Sequence, residues 1–113
     1  FFENELVKRF EEMVENNEEL YFDTEEYEEI IIYYLEMGDI NFAELATNFA
    51  LKLHPNSLQI KIKQFEVFLD LEQYTKAKEL LNELKEKQKL NNINPEEKEE
   101  LLFLLIELTK TNV

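Results

Sequence analysis

The stretch that decides the fold is Tyr27–Pro55, YEEIIIYYLEMGDINFAELATNFALKLHP. It reads as two short helices folded back on each other around Gly38-Asp39. In the first, Tyr27, Ile30, Ile31 and Tyr34 recur at helical spacing and form one apolar face. Gly38 ends that helix, because glycine takes a positive φ at little steric cost. Asp39 is placed to cap the helix that follows. The second helix, 40–53, carries Ala43, Ala46 and Ala50 on one face, where small side chains let another backbone approach closely. Phe42, Leu45 and Phe49 form a stripe beside it. A helix apolar on two faces needs a neighbour on each side. His54-Pro55 ends it: proline cannot continue the hydrogen bonding, and the residue before it avoids the α region. His54 is the only histidine. It reads as a helix end placed near the C-terminal dipole, not as a ligand or catalytic base.

Upstream, Phe2, Leu6, Phe10 and Met13 fall on one helical stripe, and Asn16-Asn17 suits a stop. Residues 1–20 are therefore expected to form an N-terminal capping helix. Asp23 and Glu26 have capping-box spacing, and Phe22 and Tyr27 have hydrophobic-staple spacing. Downstream, Asn56 or Ser57 caps a helix whose stripe is Leu58, Ile62, Phe65 and Leu69, widened by Phe68. A turn at Asp70–Gln73 leads through Tyr74 to a helix over 76–87, with Ala77, Leu80, Leu81 and Leu84 inward. A polar loop follows from Lys89 to Asn94. Asn94, Pro95 and Glu97 then supply the start of a last helix, which is apolar around most of its circumference from Leu101 to Leu108.

Composition narrows the function classes. The chain has 113 residues, one Gly, two Pro and no Cys. That favours helices over sheet corners and excludes a disulfide, a thiolate nucleophile or a cysteine metal site. It also fits a reducing compartment, so a cytoplasmic location is the expectation. Apolar runs such as Ile30–Leu35 are too short to span a bilayer, and no membrane association is expected. The chain opens on Phe1 with no signal-peptide pattern, and a segment upstream is expected. The net charge is −14. Residues 1–50 hold fifteen of the 26 acids but only Lys8 and Arg9 of the 12 basic residues. Such a surface repels phosphate backbones and disfavours nucleic-acid partners.

The pattern returns after 34 residues. Ile31, Tyr34, Leu35, Ile40, Ala43, Thr47 and Ala50 meet Phe65, Phe68, Leu69, Tyr74, Ala77, Leu81 and Leu84. With this helix–turn–helix period, and with Tyr34, Gly38, Ala43, Ala50 and Pro55 in one unit and Tyr74, Ala77 and Leu81 in the next, the chain resembles the tetratricopeptide repeat family over about residues 24–91. The resemblance implies an all-α antiparallel helix-turn-helix repeat stack of about six helices in a single domain, 1–113. The units are the capping helix (1–20), repeat 1 (24–56), repeat 2 (57–91) and a C-terminal capping helix or half repeat (94–111). The flanking helices are expected to cover the ends of the stack, since one helix pair cannot bury its own apolar faces.

In the resembled family the first helices of successive repeats line a concave groove. Here that groove would consist of Glu25, Glu28, Ile32, Leu35 and Glu36 with Gln59, Ile62, Glu66, Leu69 and Asp70. It is acidic with apolar gaps and suits a basic or amphipathic protein or peptide. The expected function is a non-catalytic protein- or peptide-binding scaffold. The alternative is a self-association module, in which the apolar last helix, the acidic front and the Lys-bearing 76–89 segment stack copies head to tail or pair them as a homodimer. Catalysis is not expected: one His, one Ser and no Cys make no triad, and a lone Gly makes no phosphate loop. No metal and no cofactor are expected either.

Overall fold

The computed structural model describes residues 4–90 and Glu96. Those residues form five α-helices and no strand: α1 (Glu5–Asn16), α2 (Thr24–Met37), α3 (Ile40–Leu53), α4 (Leu58–Asp70) and α5 (Tyr74–Leu90). Each helix packs on the next in sequence from α1 to α5, and α2 also packs on α4. This packing is compatible with a helical repeat stack. The expected helix over 94–111 lies outside the described residues.

The helix ends follow from side-chain chemistry. The Asp23 carboxylate accepts the Glu26 amide at 2.8 Å, and the Glu26 carboxylate accepts the Asp23 amide at 3.0 Å. This is the expected capping box. Phe22 and Tyr27 meet edge to face at 5.3 Å and supply the staple. Gly38, at φ 77°, donates its amide to Leu35 O while Asp39 donates to Tyr34 O, closing α2 with both reversed bonds of a Schellman turn. Asn17, at φ 53°, ends α1 in the same way. Ser57, not Asn56, caps α4 by accepting the Ile60 amide at 3.2 Å. The last described helix runs from Tyr74 to Leu90, so it begins before Lys76 and extends into the stretch expected to be loop.

Burial shows a period of its own. The buried residues of α3 are Ala43, Ala46, Thr47 and Ala50, and those of α5 that lie 34 on are Ala77, Leu80, Leu81 and Leu84. Within α2, Tyr27, Ile30, Ile31 and Tyr34 are all buried, as their spacing requires. The α3 stripe of Phe42, Leu45 and Phe49 is half-buried and packs against the same core. Thr47 satisfies its buried hydroxyl by donating to Ala43 O at 2.7 Å.

Two helices orient differently from their expected stripes. In α1 the buried residues are Val7, Phe10 and Met13, and Leu6 is only half-buried; Phe2 lies outside the described residues. The cause is Phe10, which meets Phe22, Tyr27, Tyr34 and Phe49 edge to face, with centroids 5.8 to 6.4 Å away. Centring the helix on that ring turns Val7 inward. In α4, Ile60 and Val67 are buried as fully as Ile62 and Phe65. Ile60 and Val67 join the core made with α1, α2 and α3, while Ile62 and Phe65 join a second core with α5. Hence α4 is sandwiched as α3 is. Its single expected stripe, which included Leu58 and Leu69, described only one of its two faces.

Candidate partner-binding face

The ten residues of the expected groove lie on α2 and α4, which the fold sets side by side. The capping box fixes where α2 begins, and burial of Tyr27, Ile30, Ile31 and Tyr34 sets the rotation that turns Glu25 and Glu36 outward. Glu25, Glu36 and Asp70 are exposed. Glu28, Ile32, Gln59 and Glu66 are partly exposed. Gln59 donates from Nε2 to Glu28 Oε1 at 2.5 Å, so the two helices are joined within the face itself. Leu35 and Leu69 are half-buried and pack against the two separate cores.

Ile62 departs from the expectation. It is wholly buried with Phe65, Ala77 and Leu84 and offers nothing to a partner. The reason is the helical angle: α5 covers the side of α4 that carries Ile62 and Phe65.

Lys63 was missed. It stands four residues after Gln59 and three before Glu66, on the same helical stripe, and that spacing was visible in the sequence. Its ammonium lies 3.3 Å from Glu66 Oε1. The face therefore mixes signs. Lys61, the other lysine of α4, points to α5 and pairs with Glu83 at 3.6 Å. Both pairs are partly exposed and each contributes on the order of 0–1 kcal/mol.

His54 occupies the last position of α3, as expected, and its ring does more than face a dipole. Nε2–H donates to Phe22 O at 2.8 Å, and the ring meets Tyr21 and Tyr27 edge to face at 5.7 and 6.3 Å. It fastens the segment before α2 to the end of α3. Tyr34 donates its hydroxyl to Glu11 at 2.7 Å, tying α1 to α2. Burial first, then the Glu11 carboxylate, raises the Tyr34 hydroxyl well above the usual tyrosine range. Burial also raises Tyr27.

Two clefts lie away from the α2–α4 face. One, of about 250 Å³, opens between α1, the segment after it and the end of α3. The other, of about 740 Å³, is wide, and is lined by Glu44, Asn48, Gln64 and Phe68 with polar residues of α5. None of the ten groove residues lines either cleft. Among the described residues no group of three or more His, Cys, Asp or Glu side chains is arranged to hold a metal ion. Among them, too, no helix is long and apolar enough to cross a membrane.

Comparison with known proteins returned no matching family model, no matching curated protein and no matching solved structure.

Proposed function

We propose that this chain is a non-catalytic protein- or peptide-binding scaffold of the tetratricopeptide kind, whose α2–α4 face takes a basic or amphipathic segment. The observation that carries the reading is the 34-residue period in burial between α3 and α5, with α2 and α4 packed side by side. Repeat stacks of this sort present successive first helices as one continuous surface. On that surface Glu25, Glu36 and Asp70 remain exposed, with Ile32 between them, so charge steers a basic segment and apolar contact holds it.

The residues that could support chemistry have structural roles instead. His54 binds the Phe22 carbonyl, Ser57 caps α4 and Gly38 closes α2. This supports a scaffold over an enzyme.

The test uses a labelled, Lys-rich amphipathic peptide and fluorescence anisotropy at several salt concentrations. Glu25→Lys with Asp70→Lys should weaken binding about tenfold at low salt, and less at high salt, as for rim charges. Binding that ignores both substitutions rejects this face.

A further inference from the structure

The segment 17–23 between α1 and α2 carries no helix, yet it is held at several points. Asn17 closes α1, the Leu20 amide donates to Met13 Sδ at 3.4 Å, and Phe22 O accepts from His54. The Phe22 ring is fully buried, with the Arg9 guanidinium 5.0 Å from its centroid. A segment anchored in this way could hide its apolar side chains. Instead Leu20 is 36% exposed and Tyr21 64%, and Leu53 at the end of α3 is 43% exposed.

Leu20 and Leu53 rim the 250 Å³ cleft, and Met13, Tyr27 and Phe49 form its floor. Glu18 and Glu19 line it from the segment after α1, and Lys52 lines it from the end of α3. The volume falls below the roughly 300–1,000 Å³ of small-molecule sites and suits a side chain rather than a metabolite. Glu18 and Glu19 are both exposed, within the half of the chain that holds fifteen acids against two basic residues. Their field favours a cation beside them.

We propose that this cleft docks a peptide segment bearing one large apolar side chain next to a Lys or Arg. The apolar side chain enters over Met13, Tyr27 and Phe49, and the cation lies against Glu18 and Glu19. The floor supplies affinity through burial, and the acidic pair supplies orientation. The site shares no residue with the α2–α4 face and does not depend on it.

The probes are fluorescein-labelled, end-blocked nonapeptides with a central Leu or Phe flanked by Lys. One control has a central Ala, and the other is flanked by Glu. Anisotropy should show the apolar, Lys-flanked probes binding about tenfold more tightly than either control. Leu53→Gln should weaken them about tenfold, and so should Glu18→Lys with Glu19→Lys, which are exposed and leave the fold intact even if Leu53→Gln does not. Glu25→Lys with Asp70→Lys should leave the preference for a central Leu or Phe over Ala unchanged, while the Glu18/Glu19 pair should reduce it, which separates this site from the α2–α4 face. Equal binding of all probes, or indifference to the Glu18/Glu19 pair, overturns the proposal. So does sedimentation showing a dimer that the Glu18/Glu19 pair dissociates, since a second copy would then occupy the cleft.

Discussion

Gly38 and Glu72 stand 34 residues apart and adopt the same left-handed backbone, at φ 77° and 60°, at the C-terminal ends of α2 and α4. Each donates its amide to the carbonyl three residues back, and the next residue donates to the carbonyl five back. One turn geometry therefore serves both units, but only the first has the residue suited to it. A side chain in this region costs roughly 1–2 kcal/mol.

Substituting the two positions should move stability in opposite directions. Gly38→Ala should destabilise by about 1 kcal/mol through backbone strain alone, since an added Cβ meets no atom within 4 Å. Glu72→Gly should stabilise by about 0.5–1 kcal/mol, after allowing for the freer unfolded chain. Thermal melts followed by circular dichroism decide it, and shifts of the same sign would contradict the shared turn.

The next residues of the two units make a second contrast. The Asp39 carboxylate accepts the Phe42 amide at 3.2 Å and caps α3. Its counterpart before α5 is Gln73, whose Oε1 is buried without a hydrogen-bond partner. Gln73→Asp should add a cap and remove that orphan oxygen, raising stability by about 1 kcal/mol. Urea titration with an unchanged slope is the measurement, and a lower midpoint would reject the cap.

Phe10 should prove the costliest ring to lose. It is wholly buried and touches four aromatic rings from α2, α3 and the segment between α1 and α2. Phe10→Ala should destabilise by about 3–5 kcal/mol. For the same reason a chain starting at Asp23 should fold poorly or aggregate. A cooperative melt of that shortened chain at a near-unchanged temperature would show that α1 is dispensable.

Tyr34 makes stability depend on alkaline pH. Its hydroxyl is raised in the folded chain by burial and by Glu11, and titrates near 10 when unfolded. Above pH 10 the unfolded chain therefore loses this proton first, and folding stability falls as pH rises. Below pH 10 the contribution is fully present. Tyr34→Phe should flatten the decline in melting temperature between about pH 10 and 11.5, where Tyr27 supplies what remains. An unaltered slope would mean that the hydroxyl is not held neutral by Glu11 and burial.

Much of the fold is legible in local chemistry. Asp23, Glu26, Phe22, Gly38 and Asp39 each act within five residues of their own position, so spacing alone locates both ends of α2 and the start of α3. The inward residues of α2, α3 and α5 follow from the 3.6 period because those helices bury the faces on which their apolar residues cluster. The α2–α4 face was legible in part. Glu25, Glu36 and Asp70 are exposed as spacing suggests, whereas the burial of Ile62 and the Lys63–Glu66 pair depend on how α4 is rotated.

What the sequence by itself determined is the order of α1 to α5 and the bounds of α2 and α3, together with the 34-residue period, because capping bonds and helical spacing act over a few residues. Only the tertiary structure decided which way α1 and α4 turn, that His54 holds the Phe22 carbonyl, and that Leu20 and Leu53 line one open cleft. Those outcomes join residues that are far apart in the chain, such as Phe10 with Phe49 and His54 with Phe22. They depend on crossing geometry and side-chain volume, which a hydrophobic period alone does not record.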